Sequence, residues 1–177
     1  MNMNLPNKLT MLRIILIPVF MIFLLTGHWY ISAGIFVVAS VTDTLDGQIA
    51  RRYNLVTNFG KIMDPLADKL LVFSALLCMI QLSVVPAWMV VIMLARELLI
   101  VSLRAVAAAQ GIVIAASWWG KIKTITQMAA VILLLIQNWP FGPEGFPLAT
   151  IVLWIAVIMT VVSGIDYIIK NKAVFKG

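Results

Sequence analysis

Long apolar stretches separated by short polar breaks run the whole length of this chain. A helix needs about 20 mainly apolar residues to cross a bilayer, and six such stretches are predicted, at roughly 11–27, 31–51, 62–82, 87–109, 119–138 and 147–168. Gly, Pro and aromatic clusters mark the breaks: Gly27-His28-Trp29-Tyr30, Ser83-Val84-Val85-Pro86 and Asn138-Trp139-Pro140-Phe141-Gly142-Pro143. Trp29, Tyr30, Trp88, Trp118, Trp119 and Trp139 fall near the proposed ends, where amphipathic rings meet the headgroup layer. No internal repeat stands out. The expectation is an all-α polytopic membrane bundle forming a single domain over 1–177, with a short segment 1–10 before the first helix. The fourth stretch contains Arg96 and Glu97 and is the weakest by hydropathy.

Composition agrees with lipid as the solvent. The chain is 63% hydrophobic and 11% charged, with a mean hydropathy of +1.06, whereas a soluble domain carries about 25% charged residues. The cations alternate along the chain. Lys8 and Arg13 accompany the first stretch, Arg51, Arg52 and Lys61 flank the second connection, Arg104, Lys121 and Lys123 flank the fourth, and Lys170, Lys172 and Lys176 end the chain. The first, third and fifth connections hold no Lys or Arg, and the fifth holds Glu144. By the positive-inside rule both termini and the even connections are cytoplasmic. The net charge of +6 then reflects topology and anionic lipid or phosphate ligands rather than nucleic acid. The first 27 residues have the outline of a signal peptide, but five further stretches follow, and their removal would invert the charge pattern. The lone Cys78 excludes an intrachain disulfide and reads as a packing residue.

Four of the seven acidic residues lie between Asp43 and Asp68, in the string Asp43-x-x-Asp46-Gly47-x-x-Ala50-Arg51 and, after eight residues, Gly60-x-x-x-Asp64-x-x-x-Asp68. Asp43, Asp46, Gly47 and Ala50 share one helical face by their offsets, and so do Gly60, Asp64 and Asp68. Two adjacent helices can therefore turn four carboxylates into one space. Gly47 and Ala50 keep the wall low, and Arg51 stands beside it to meet a phosphate oxygen or an acid. Carboxylates at a membrane surface need compensating charge. All-oxygen ligation without His or Cys fits Mg²⁺, Mn²⁺ or Ca²⁺, and four acids suffice for two divalent ions. Two other readings are ordinary pairing with Arg51, Arg52, Lys61 and Lys69, and an ion-transport path. The small residues at fixed offsets disfavour the first, and a location at the helix ends rather than the bilayer midplane disfavours the second.

The string D-T-L-D-G-Q-I-A-R followed by G-K-I-M-D-P-L-A-D resembles the signature of the CDP-alcohol phosphotransferase family at all nine of its fixed positions. The resemblance extends over the whole chain, since the family core also has six transmembrane helices and a cytoplasmic-facing polar cavity. It implies an enzyme that moves a phosphatidyl-type group from a CDP-linked donor to an alcohol and releases CMP. It further implies Asp43, Asp46 and Asp64 as the principal ligands of two Mg²⁺ or Mn²⁺ ions. Asp68 is implied as the general base with a share in metal binding, and Gly47, Ala50, Arg51 and Gly60 as the CDP pocket. A homodimer is implied as well. Within the family, Leu5-Pro6-Asn7-Lys8-Leu9-Thr10 with Arg13, Asp64-Pro65-Leu66-Ala67-Asp68-Lys69, Arg96-Glu97 with Arg104, and Gly120-Lys121-Ile122-Lys123-Thr124 with Gln127 are similar to the bacterial subgroup acting on CDP-diacylglycerol and glycerol-3-phosphate. The stretch Leu98–Ser102 departs from the aromatic- and Thr-containing version of that subgroup.

Arg96, Arg104, Lys121 and Lys123 are the candidates for binding the phosphate of the acceptor, for which Arg supplies planar bidentate donors. The alternative is a structural Arg96–Glu97 pair beside ordinary topological charges. Glu97 reads as an orienting group. Asn7, Thr10 and Arg13 are candidates to contact the nucleotide, with Thr10 alternatively a helix cap. His28 lies on the opposite side, away from the acids.

Overall fold

A computed structural model describes residues 4–52, 57–115, 117–142, 144–172 and 174; the side chains of Leu5, residues 44–52 and Lys61 lie outside the description. Among the described residues there are six α-helices and no strand: α1 Leu5–Leu25, α2 Trp29–Arg52, α3 Asn58–Gln81, α4 Ala87–Ala109, α5 Trp118–Leu135 and α6 Leu148–Lys170. The all-α expectation holds. Two of these helices, Pro6–Leu25 and Leu148–Lys170, are long and apolar enough to cross a membrane, with mean hydropathies of 2.2 and 2.5.

Three helix ends differ from the expectation by three residues or more, each for a local reason. Residues 5–10 are helical rather than a lead-in segment, because the Asn4 side chain accepts from the Asn7 amide and Pro6 sits where a missing N–H costs nothing. Asn4, not Thr10, is the cap. The third helix starts four residues earlier than predicted, since Thr57 Oγ1 accepts from the Gly60 amide at 3.0 Å. The fifth stops at Leu135, before Gln137 and Asn138 take left-handed backbone conformations. Asn138 then fastens the following loop: its amide donates to the Gly142 and Phe146 carbonyls, each at 2.8 Å, and its Oδ1 accepts from Ala149 N–H at 2.9 Å.

The helices group into two compact units, α1–α3 and α4–α6. In the first, α1 packs against both α2 and α3. Its buried positions are Asn7, Thr10, Arg13, Ile17, Phe20 and Leu24, a single stripe at helical spacing. The stripe is polar over its first half and apolar over its second. Ala33, Phe36 and Ala39 of α2 and Leu71, Ala75 and Met79 of α3 are buried as well, and the Phe20 and Phe36 rings lie 5.9 Å apart. The outward face of α1 is also apolar: Leu12, Ile15 and Ile22 are exposed. An apolar face turned outward over a partly polar interior is the arrangement expected where the surroundings are lipid.

In the second unit α4 packs on α6. Met89, Met93, Ile100, Leu103 and Ala107 of α4, and Leu153, Ala156, Thr160, Ser163 and Tyr167 of α6, are buried. Arg96 falls in the α4 stripe between Met93 and Ile100, so a cation interrupts the otherwise apolar buried face of α4.

Truncation at the two faces of α1 should have opposite consequences. Phe20→Ala, at a fully buried site, is expected to cost about 3–5 kcal/mol, whereas Leu12→Ala should leave stability near wild type. Thermal unfolding of the purified protein in detergent separates the two.

Candidate active site

The acidic site is assembled by the polar half of α1. Arg13 is 1% exposed. Its Nη1 forms an ion pair with Asp43 of α2, and its Nε donates to the Ala39 carbonyl at 3.2 Å. Three residues earlier, Thr10 Oγ1 lies 2.6 Å from Asp64 Oδ1 and 3.1 Å from the Pro6 carbonyl. The carboxylate, being charged, is the stronger acceptor. One turn before that, Asn7 Oδ1 accepts from Thr57 Oγ1 at 2.9 Å. Asn7, Thr10 and Arg13 thus bind in turn the cap of α3, an acid of α3 and an acid of α2.

Gly60 makes this fit possible. A Cβ at that position would stand 3.3 Å from Asn7 Oδ1 and 3.4 Å from both Asp64 Oδ2 and Thr57 Oγ1. Any side chain would press on all three polar groups at once. Asp68, one turn beyond Asp64 on α3, is half-buried. Pro65, between these acids and inside α3, cannot donate to the carbonyl four residues back.

The structure therefore brings together Asn7, Thr10, Gly60 and Asp64, and holds Asp43 through Arg13. The side chains of Asp46, Gly47, Ala50 and Arg51 lie outside the described residues, although the α2 backbone that carries them is helical. Among the described residues no three of His, Cys, Asp and Glu lie close enough to hold a metal ion. The donor chemistry still fits a hard divalent cation, because Asp43 and Asp64 offer carboxylate oxygens in a hydroxyl- and amide-lined setting, and Gly60 keeps a side chain out of it. The role of Arg13 as counter-ion to Asp43 is a long-range contact that helical spacing did not reveal.

The second unit gathers the cations differently from a single pocket. Glu97 Oε1 is bonded by Arg96 Nη1 at 3.0 Å and by Lys123 Nζ, while Arg96 Nε donates to Ser163 Oγ at 3.1 Å. Glycine again grants the approach: a Cβ on Gly120 would lie 3.3 Å from Arg96 Nη2, and one on Gly164 3.3 Å from Arg96 Cγ. Glu97 does orient Arg96, and it holds Lys123 as well. Arg104 is two turns further along α4, about 12 Å by helix rise. Its Nε donates to Tyr167 Oη at 2.7 Å. It also lines an open cavity of about 470 Å³ with Ala108, Gly111, Ile112, Val113 and Ile114. Lys121 is exposed, with Nζ 5.5 Å from the centre of the Trp118 ring. Beside these, Asp166 accepts from Ser117 Oγ at 2.7 Å and pairs with Lys170 at 2.7 Å. No local pattern marks that contact, because Ser117 and Asp166 stand 49 residues apart.

Comparison with known proteins adds to this geometry. The family model for CDP-alcohol phosphatidyltransferase matches residues 3–162. The chain belongs to the CDP-alcohol phosphatidyltransferase family. It is 48% identical over 188 residues to the Bacillus subtilis (strain 168) protein named CDP-diacylglycerol–glycerol-3-phosphate 3-phosphatidyltransferase, covering 98% of this chain and 97% of that one. It is 39% identical to a probable phosphatidylglycerophosphate synthase of Mycobacterium tuberculosis, over 94% of this chain and 81% of the relative. A Rickettsia typhi protein with the same name as the Bacillus one is 38% identical over 97% of this chain and 99% of its own length. Asp43 and Asp64 of the motif read in the sequence are the two acids that α1 side chains bind.

The Arg13–Asp43 pair can be tested as a cycle. Arg13→Met leaves Asp43 without its guanidinium partner and is expected to lower stability by about 3 kcal/mol. Adding Asp43→Asn should restore most of the melting temperature while activity stays absent, since the site then lacks an acid. A double variant no more stable than Arg13→Met alone would show that the pair is not what holds α2 to α1.

Proposed function

We propose that this protein transfers the phosphatidyl group of CDP-diacylglycerol to glycerol-3-phosphate, giving phosphatidylglycerophosphate and CMP. The reading is carried by one observation: the two family-signature acids Asp43 and Asp64, on different helices, are both bound by polar side chains of α1. Near-full-length relatives bearing that activity in their names support it.

The acidic site takes the nucleotide end of the donor. Gly47, Ala50 and Gly60 leave room for the CDP group, Arg51 meets a phosphate oxygen, and Asn7 and Thr10 set the carboxylates. Asp43, Asp46, Asp64 and Asp68 would hold two Mg²⁺ or Mn²⁺ ions, which when bound supply charge neutralisation and Lewis acidity toward the pyrophosphate. Arg96 and Lys123 take the phosphate of glycerol-3-phosphate, and Arg104 and Lys121 add positive charge on the approach to it. A guanidinium has five N–H donors, so the bonds of Arg96 to Glu97 and Ser163 leave it others for an anion. Asp68 accepts the proton of the attacking hydroxyl. That oxygen bonds to the phosphorus bearing the diacylglycerol, the bond from this phosphorus to the bridging oxygen breaks, and CMP departs with that oxygen and the electron pair.

In this reading all six helices cross the bacterial cytoplasmic membrane, with both termini and the acidic site on the cytoplasmic side, as the alternation of cations requires. Membrane lipids surround the outward apolar faces, and the protein works as a homodimer, as the family resemblance implies.

CMP release in detergent with CDP-diacylglycerol, Mg²⁺ or Mn²⁺ and a panel of glycerol-3-phosphate, inositol phosphate, inositol and serine tests the reaction. Release only with glycerol-3-phosphate, abolished by chelator, is expected; release with another acceptor would overturn the acceptor assignment. Asp68→Asn should retain nucleotide binding and lose turnover by at least 100-fold, in line with loss of a general base. Near-normal turnover would remove Asp68 from that role. Asp43→Asn or Asp64→Asn should raise the metal concentration needed for activity or abolish it, and an unchanged metal dependence in both would exclude them as ligands.

A further inference from the structure

Along α5 one face is buried, through Lys123, Gln127, Ala130, Val131 and Leu134. Gln127 is the last polar position before that face turns wholly apolar. It is 4% exposed, and among the described residues its Nε2 is the one buried side-chain nitrogen or oxygen with no hydrogen-bond partner. An amide group withdrawn from water without a partner lowers stability, and an orphan of this kind calls for an explanation in function. The charged side chains beside it are engaged: Lys123 and Arg96 with Glu97, and Arg96 with Ser163.

We propose that Gln127 Nε2 is reserved for the acceptor, donating a hydrogen bond to the secondary hydroxyl of glycerol-3-phosphate. This rests on the acceptor assigned above. Lys123 and Gln127 are four residues apart on one helical face, about 6 Å along the axis. That spacing is comparable with the separation of phosphate and secondary hydroxyl in a three-carbon phosphate. The charged groups answer the phosphate, and the neutral amide answers the neutral hydroxyl. A site built to hydrogen-bond a substrate hydroxyl rejects the analogue lacking it, because the site's own donor is then left buried and unpaired. Gln127 is accordingly a specificity-determining residue for a three-carbon acceptor with a hydroxyl at its central carbon.

The test compares glycerol-3-phosphate with 3-hydroxypropyl phosphate, which keeps the phosphate and the attacking primary hydroxyl and lacks the secondary one. CMP release by the full-length protein is measured for wild type and Gln127→Met, a substitution close in volume and flexibility. Wild type should favour glycerol-3-phosphate in kcat/KM by about tenfold, the scale of one hydrogen bond. Gln127→Met should lose that preference by falling on glycerol-3-phosphate alone, with KM for CDP-diacylglycerol unchanged. Its melting temperature without substrate should be equal to wild type or higher, since a buried unpaired donor has been removed. Gln127→Leu gives a second variant for the same comparison. An equal loss on both acceptors, or a preference that survives the substitution, overturns the proposal. So does a markedly lower melting temperature with the preference intact, which would mean that the amide serves packing. If wild type releases CMP with a different alcohol and none with glycerol-3-phosphate, it is the acceptor assignment that fails, and a wild type active on glycerol-3-phosphate separates the two failures.

Discussion

A guanidinium that is 1% exposed inside a helix bundle has to be met by a carboxylate and by carbonyls, or the bundle does not form. Arg13 meets Asp43 and the Ala39 carbonyl. That requirement ties the rotation of α2 about its axis and its height against α1 to one side chain, because Asp43 and the Ala39 carbonyl must both face it. The placement of the two signature acids follows from it. With α2 set by Arg13 and α3 set by Thr10 and Asn7, the two carboxylates Asp43 and Asp64 reach positions that neither helix would choose alone.

Polar groups of this kind are tolerated because the rest of α1 is apolar on both faces. Phe20 and Leu24 pack inward against Phe36 and the buried face of α3, while Ile15 and Ile22 point outward. In water the outward residues would be a liability. In lipid they cost nothing, and the interior is then free to hold polar side chains, provided each is partnered. Small residues do the remaining work. Gly60 beside Asn7 and Asp64, and Gly120 and Gly164 beside Arg96, sit where a Cβ would lie 3.3–3.4 Å from those side chains. Close approach of helix backbone to a charged group is the shared device of both units.

The second unit handles charge by sharing rather than by pairing. Glu97 accepts from both Arg96 and Lys123, so one anion holds two cations and the group retains a net positive charge. An excess of positive charge that is fixed in place by neighbours is preorganised for an anion. Gln127, one turn beyond Lys123, extends the same logic from charge to a neutral donor.

Much of this is legible in the amino-acid sequence. Six apolar runs gave six helices, and the offsets Asp43 to Ala50 and Gly60 to Asp68 placed the acids on helical faces, because the 3.6-residue period is a local property of the chain. Helix ends were less legible. The caps Asn4 and Thr57 depend on backbone geometry at single residues, and they moved two helix starts to positions that hydropathy could not mark. Partner choice was not legible at all. Arg13 to Asp43 spans 30 residues, Thr10 to Asp64 spans 54 and Arg96 to Ser163 spans 67. The sequence by itself determined the helices, the solvent they face and the chemistry of the acids, all of which are set by composition and near-neighbour spacing. Only the tertiary structure decided that α1 supplies the hands that hold those acids, that Glu97 ties two cations together and that Gln127 is left without a partner, because each depends on how helices far apart in the chain are turned toward one another.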